Sequence, residues 1–390
     1  MKEGKRIGTA TGQITLLPEA MIHHIQSFLT GKEAARTSLL SKPWHSAWLT
    51  RPALEFDQSD FHINGDPKLD KIEFEKFATK TLQRYQQLNL KIESFRLHTI
   101  RSGRGISALA KKLIVQAITR IGATDLNLKL PYRCRLMSRR LKLPELCRIR
   151  RLCLNMMVVE DSFFSELSSR YPCLKDLSLV GCHGYKRIRT ASTSLEYISF
   201  AEQDKAMVAK FDVPNIRKFS YSGSIIPSVS IKAAAAEASR EWESDVSVTF
   251  RRRCRQTFPW WDSWSLSLSL EKLLTNLRTS RINLSLNGDF AAGFHHEGKI
   301  VPVVVENLTI DEAHILSGNG DLIESLLRVC RPKFITYYSK KEIDLLCTYN
   351  LTRILQRHYR NRTFMEVVGV EIYKENHIRK IQSETKYWEE

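Results

Sequence analysis

Nowhere in the 390 residues does an apolar run reach about 18 positions without a charge, so no segment reads as a membrane span. The first ten residues are polar and basic, and no secretory leader is expected. Cysteine is sparse. The eight, at 134, 147, 153, 173, 182, 254, 330 and 347, are too few for a disulfide scaffold and suit a reducing compartment, nucleus or cytoplasm. The Asn-x-Ser/Thr matches at Asn283, Asn307, Asn350 and Asn361 are then chance rather than glycosylation sites. No two cysteines form Cys-x-x-Cys, and Cys173, Cys182 and His183 lack a fourth ligand at zinc spacing, so no metal is expected. His23-His24 and His295-His296 have no carboxylate or thiol framework around them and read as solvated. Acid is the last shortage: 60 Lys+Arg against 42 Asp+Glu leave a net charge of +18.

What is present is enough apolar surface for a core, 43% hydrophobic and 9% aromatic, which excludes wholesale disorder. The length suits two or three domains, or a small domain joined to an extended one.

Leu16-Leu17-Pro18-Glu19 opens a segment with Ile22, Ile25, Phe28 and Leu29 at three- and four-residue steps, one face of a helix begun by Pro18. Thr30-Gly31 interrupts it. Lys32 to Ser41 resumes with Ala35, Leu39 and Leu40, and Pro43 starts a third short helix carrying Trp44 and Trp48. A three-helix unit this small buries little of its own surface, so its remaining apolar side chains are expected to meet a partner or the next domain.

The string from Leu17 to Trp44 resembles an F-box: the Leu-Pro opening, Ile22, Ile25 and Leu29 on the first helix, a Lys-Glu-x-x-Arg-x-Ser turn, and Leu-Ser-Lys-x-Trp. It departs at Gln26, where the family prefers leucine, at Gly31, and at Pro43, where arginine is usual; Gln26 is expected to weaken an apolar interface.

From about residue 90 a nine-position pattern recurs, clearest in Leu174-x-x-Leu177-x-Leu179-x-x-Cys182. Other copies begin at Ile92, Ile149, Leu195, Ile216 and Val305. Poorer ones centre on Leu126, Val246, Ile282 and Ile335. The second apolar positions fall at 95, 126, 152, 177, 198, 219, 246, 282, 308 and 335, and most intervals lie in the range of about 20–29 residues that suits leucine-rich repeats. Cys182 then reads as a packed repeat-end residue. Between strands, 108–121 puts Leu109, Leu113, Ala117 and Ile121 on one helical face, and Asp161-Ser162 is positioned to cap a turn carrying Phe164 and Leu167. A plain parallel α/β sheet would need continuous apolar strands, but Arg96, His98, Asp176, Lys218 and Arg281 interrupt these.

The expected fold class is α/β: a small three-helix F-box followed by a leucine-rich-repeat solenoid with curved parallel strands inside and helices and loops outside. The expected organisation is a flexible 1–12, the F-box at 13–55, a linker and cap at 56–90, repeats at 91–339 and a basic cap or tail at 340–390. Taken whole, with phrases such as YPCLKDLSLVGC, the chain resembles the plant F-box/leucine-rich-repeat family, substrate-recognition subunits of SCF-type cullin-RING ubiquitin ligases. The resemblance implies a non-catalytic adaptor, without cofactor, whose F-box binds the Skp adaptor and through it cullin and RING subunits, while the repeats hold a protein for ubiquitination. Neither a catalytic cysteine site nor the ligand pairs of a RING is present. The residues carried to the Skp interface, as contacts or supports, are Leu17, Pro18, Ile22, Ile25, Leu29, Ser41, Trp44 and Trp48. The substrate face is expected at the strand positions flanking the apolar ones: Arg96, Asn127, Lys129, Arg151, Asp176, Ser178, Tyr197, Lys218, Arg281, Asn283 and Thr309.

Two rival readings remain. Gly103-x-Gly105-x-x-Ala108, with Asp125 twenty residues after Gly105, mimics a dinucleotide fingerprint, but Arg96 and His98 in the preceding strand and the onward repeat argue against it. Basic runs at 133–142, 148–151 and Arg251 to Arg255, the last followed by Trp260-Trp261, suit a nucleic-acid-binding repeat protein. The strand face, however, mixes bases with Asp125, Asp176, Asp245 and Asp311, so a strong grip on phosphates is not expected there. The charge surplus falls on loops and the outer side, where it suits solubility, an acidic partner or nuclear import.

Overall fold

A computed structural model describes residues 17–61, 67–100, 104–131, 146–203, 205–233, 241–250, 263–288, 301–311, 326–339, 369–374 and 377–379. The basic runs at 133–142 and 251–255, Trp260-Trp261, Gly103, His295-His296 and most of 340–390 lie outside these. Among the described residues no helix is long and apolar enough to cross a membrane. The chain divides into two compact units, 1–158 and 159–390.

The first unit opens with three short helices, α1 (Glu19–Ser27), α2 (Gly31–Thr37) and α3 (Lys42–Leu49). Pro18 is the N-cap of α1 rather than its first residue. Thr30, which reads as a break, starts α2 through a capping box: its hydroxyl accepts from Glu33 N–H while Glu33 Oε2 accepts from Thr30 N–H at 2.9 Å. This local bonding holds the Glu33 carboxyl below its ordinary range, chiefly through the Thr30 N–H. Ile22, Trp44 and Ala47 form the small core, with Leu17 packed against it.

Strand β1 (Ala53–Asp57) follows almost at once and pairs in parallel with β2 (Ser94–His98), which pairs with β3 (Asp125–Lys129), which pairs with β4 (Arg151–Asn155). The sheet therefore starts ahead of the expected boundary at 55. The stretch expected as linker and cap contains α4 (Pro67–Gln87), which buries Phe74, Ala78, Leu82 and Tyr85. Helix α5 (Arg104–Thr119) buries Leu109, Leu113 and Ala117, and Ile121 beyond its end is buried too. It stops at Gly122, whose φ of 81° an L side chain would resist. In each strand the two inward residues stack on those of the next, Phe95 beside Leu126 beside Leu152 and Leu97 beside Leu128 beside Leu154.

The second unit begins with α6 (Asp161–Ser165) and α7 (Leu167–Arg170). Asp161 does not cap α6; its carboxylate accepts instead from the N–H groups of Lys186 and Arg187, at 2.9 and 3.2 Å, and so fixes the start of a later strand. Parallel strands β5 (Asp176–Val180), β7 (Tyr197–Gln203), β9 (Lys218–Gly223), β11 (Glu243–Phe250), β12 (Arg281–Gly288), β13 (Val303–Asp311), β14 (Cys330–Ser339) and β15 (Gly369–Lys374) are neighbours in that order. Antiparallel β16 (His377–Arg379) ends the row, so strands occur within the segment expected as a cap or tail. Helix α8 (Ser263–Leu277) lies between β11 and β12 in sequence.

The structure corrects the phase of the later repeats. Val246 pairs with Tyr221 and Leu284, while the partner of both Phe219 and Ile282 is Ser244. Leu308 pairs with Leu284 and Ile335 with Leu308, two residues out of step with the column through Phe219 and Ile282. For Val246 the reason is Ser244, a wholly buried polar residue in an apolar column, whose hydroxyl pairs with that of Ser280 at 2.7 Å.

Helices are not the only return elements. Strands β6 (Arg187–Ala191), β8 (Val208–Asp212) and β10 (Ser228–Lys232) form a separate three-stranded parallel sheet in the order β10-β8-β6. Here the repeats are only about 21 residues long, too short to fit an ordinary helix of about 11–12 residues between strands with its two turns, so the chain returns extended. The buried side of this sheet faces the repeat core: the Phe211 ring centroid lies 6.1 Å from that of Phe200 and 6.5 Å from that of Phe219.

Candidate functional site

The helical head presents apolar side chains that its own core does not absorb. The stripe on α1 divides lengthwise. Ile22 and Gln26 point inward and are fully buried, whereas Met21, Ile25 and Phe28 are 53%, 37% and 76% exposed. Residues 18, 21, 25 and 28 fall within one narrow arc of the helix, so Pro18, which is exposed, extends the outer row. Leu39 and Leu40, after α2, are 86% and 56% exposed.

Of the head residues taken from the sequence, Pro18 and Ile25 are at the surface, and Leu17, Leu29, Ser41 and Trp48 are half-buried. Ile22 and Trp44 are core. Ser41 is the N-cap of α3, but its hydroxyl is buried and makes no hydrogen bond. Trp48 lies under the Arg84 guanidinium, 5.5 Å from ring centroid to Cζ. Met21, Phe28, Leu39 and Leu40 were not assigned to the interface, although their apolar spacing was visible. Gln26, expected to weaken an apolar interface, lies inside, where its amide donates to Thr37 Oγ1 at 3.0 Å and to the Trp44 carbonyl at 3.3 Å.

The outward strand positions form the second candidate. In the first unit Glu55, Arg96, Asn127 and Cys153 share one register row, and Asp57, His98, Lys129 and Asn155 the next. Charges there are paired or opposed: Arg151 Nε donates to Asp125 at 2.7 Å, and His98 Nδ1 is 2.8 Å from Asp57. Burial raises the Asp57 carboxyl, but hydrogen bonds from Ser59 and His98 outweigh it and leave the group below its ordinary value.

In the second unit one row reads Asp176, Tyr197, Lys218, Glu243, Arg281, and the next Ser178, Ser199, Ser220, Asp245, Asn283, Asn307. The second row is wired side chain to side chain. Asn307 donates to Asn283 at 2.8 Å, Asn283 donates to Asp245 at 2.7 Å, and Lys218 pairs with the other oxygen of Asp245. That hydrogen bond holds the Lys218 ammonium above its ordinary value. Arg281 pairs with Glu241. Along the third row, Ser222, Ser247, Ser285 and Thr309 are adjacent. Small hydroxyl side chains on neighbouring strands leave a groove of about 350 Å³ over β7, β9, β11, β12 and β13.

All eleven strand residues named from the sequence stand on outward positions of these strands. Of these, only Asn283 and Thr309 line the groove; Ser220, Ser222, Ser247 and Ser285 of its floor were missed, although Leu-Ser-Leu at 284–286 marks the last of them in the sequence. The groove offers hydrogen bonds and a neutralised carboxylate rather than free cations.

Among the described residues no three His, Cys, Asp or Glu side chains gather as a metal site. Cys182 is buried, as the repeat reading expects, and Cys330 is fully buried with its thiol pushed up to about 12 by desolvation.

No family model matches the chain. A putative F-box/LRR-repeat protein of Arabidopsis thaliana is 30% identical over 241 residues, 54% of this chain and 52% of its own length. An F-box/LRR-repeat protein of the same plant is 27% identical over 240 residues, 55% of this chain and 46% of its own. An FBD-associated F-box protein, also from Arabidopsis, is 44% identical over 59 residues, 15% of this chain and 13% of its own. The chain thus spans about half or less of the length of these relatives. Alignment over more than half the chain, together with a helical head and stacked parallel strands, bears out the resemblance read from the residues: the chain is a homologue of the Arabidopsis F-box/LRR-repeat proteins.

Proposed function

We propose that the protein is a substrate-recognition subunit of an SCF-type cullin-RING ubiquitin ligase, without chemistry of its own. The head binds the Skp adaptor, the outward strand face binds a protein substrate, and ubiquitin transfer is accelerated because the substrate is held near a charged enzyme recruited by other subunits. The observation that carries this is the outer row of α1 with Leu39: a unit of three short helices that leaves Phe28 76% and Leu39 86% exposed has apolar surface made for a partner. The docking residues are Pro18, Met21, Ile25, Phe28, Leu39 and Leu40, with Ile22 and Trp44 as supports. In the substrate groove, ligand groups that donate and accept hydrogen bonds fit better than phosphates, because Lys218 and Arg281 are already paired.

Co-purification of the full chain with a Skp adaptor tests the first half: Phe28→Asp with Leu39→Asp should abolish the complex in a chain that still folds, and an undiminished complex would refute the proposal. Ser247→Arg, which fills the groove, should remove the substrate from proteasome-blocked affinity purifications while the Skp adaptor stays bound. A nuclear or cytoplasmic location goes with this function and is checked with a fluorescent fusion.

A further inference from the structure

The outer face of the β6–β8–β10 sheet carries an unusual charge arrangement. Along β6 the exposed side chains are Arg187, Arg189 and Ala191, along β8 Val208, Lys210 and Asp212, and along β10 Ser228 and Lys232, with Ser230 partly exposed. The parallel register sets Arg189 directly against Lys210 and Lys232 against Asp212. Adjacent strands are about 4.8 Å apart, so two cations stand side by side on a flat surface, an arrangement that costs stability. Elsewhere in the unit Lys175 and Arg217 share Glu196 and Lys218 takes Asp245, while exposed cations such as Lys186, Lys205 and Arg278 have no side-chain partner among the described residues but are not set against another cation across a strand pair. Among the described residues, Arg187, Arg189, Lys210 and Lys232 make no ion pair or side-chain hydrogen bond.

The sheet edges do not explain the face. Thr190 on β6 bonds the carbonyl of Phe164 in α6 at 3.0 Å, and Asn276 of α8 donates to the Val229 carbonyl on β10 at 2.8 Å, so helices flank both sides. The inner face is packed on Phe200 and Phe219, whose strands bear the groove on their other side. The basic face and the groove are therefore opposite surfaces of one unit, free to be occupied together.

We propose that this outer sheet is a docking surface for an acidic polypeptide segment of a second protein partner, distinct from the substrate groove. Carboxylates suit it because guanidinium groups at 187 and 189 pair them bidentately and Lys210 supplies a third charge within reach of the same segment. A single nucleic-acid strand fits less well: the face offers Val208 but no aromatic ring for stacking, and four cations with Asp212 among them neutralise few phosphates.

The test is fluorescence anisotropy of the full chain with a labelled poly-glutamate peptide of about 15 residues, alongside duplex DNA of about 20 base pairs, each across a salt series. Wild type should bind the peptide saturably. Arg189→Glu should weaken it at least tenfold while the melting temperature stays level or rises, since a carboxylate at that position would face Lys210 with the opposite sign. Lys210→Gln, which removes charge without reversing it, should weaken binding by several-fold and guards against misfolding of the first variant. Unchanged peptide binding in both variants overturns the proposal, and so does DNA held more tightly than the peptide through the same two residues.

Discussion

Ile22 on α1 and Phe28 at its C-cap belong to one apolar stripe, yet truncating them should have opposite consequences. Ile22 is 0% exposed in the head core, so Ile22→Ala removes buried methylenes and leaves a cavity, at a cost of about 2–5 kcal/mol. If the head melts with the rest of the first unit, at about 2–4 °C per kcal/mol for a unit of this size, the melting temperature falls by roughly 4–20 °C. Phe28 is 76% exposed. A phenylalanine buries about 150–250 Å², so roughly three quarters of that, at about 25 cal/mol per Å², gives about 3–5 kcal/mol of gross burial in a complex. Ordering the side chain costs about 0.5–1.5 kcal/mol, which leaves a loss of roughly 100-fold in Skp affinity for Phe28→Ala. Its melting temperature should shift by less than about 2 °C, as for other surface substitutions. Circular dichroism melting and isothermal titration with a purified Skp adaptor read both quantities on the same samples. Undiminished affinity in Phe28→Ala, or an unchanged melt in Ile22→Ala, would refute the division of the stripe into a core half and a docking half.

Gln26→Leu should be neutral or stabilising by up to about 1 kcal/mol in urea unfolding, because Gln26 Oε1 is buried without a hydrogen-bond partner and the leucine removes that desolvated acceptor along with the two donated bonds. Gly223→Ala should destabilise by about 1–3 kcal/mol, since a Cβ there would sit against the Gln203 carbonyl oxygen and the Tyr221 ring; a Tyr221→Phe background relieves only the hydroxyl part of that clash. Asp57 has a lowered pKa in the fold, so its contribution is complete above the ordinary value of 3.8 and disappears as pH falls through the lowered one. The stability gap between wild type and Asp57→Asn, measured by urea midpoints from pH 6 to 3, should therefore be constant down to about pH 4 and narrow below it; a gap that widens in acid would contradict the assigned hydrogen bonds.

The three helices and the alternating strands were legible because their apolar periods are set by burial on one side, at Ile22 in the head and at Leu177 and Leu179 in a strand. What periodicity cannot supply is which half of a wide stripe faces the core. On α1 the neighbours Ile25 and Gln26 exchange the roles their chemistry suggests, because Trp44 and Ala47 fill the space beside Ile22 and the amide finds hydrogen bonds there. Ser244 hid the repeat phase for a related reason: a buried hydroxyl satisfied by Ser280, far away in sequence, looks like a surface residue in a one-dimensional pattern. The outer strands β6, β8 and β10 were passed over because Arg187, Arg189 and Lys210 fall between the repeat copies, where the pattern predicts helices and loops. Only the shortness of the repeats, about 21 residues, hinted that no helix would fit. The groove was half legible, at Asp245, Asn283 and Thr309, while Ser220, Ser222, Ser247 and Ser285 went unnoticed because a small hydroxyl has no strong preference of its own.

Only Thr50, Arg51 and Pro52 separate α3 from β1, and they are stitched in both directions. The buried Arg51 guanidinium donates to the carbonyls of Gln26 and Leu29 at 3.2 and 3.3 Å, the Arg51 carbonyl accepts from Tyr85 of α4 at 2.9 Å, and the Pro52 carbonyl accepts from Glu93 at 2.7 Å. Such a joint cannot swivel. For anyone exchanging recognition modules between relatives, the F-box of this chain is not a detachable cartridge: a cut at residue 55 would split β1, and a cut before residue 50 would strand α1 without its guanidinium clamp. The transplantable piece extends at least through Tyr85, carrying the first strand and helix α4 with the head, and a chimera made shorter than that should lose its heading before it loses its grip.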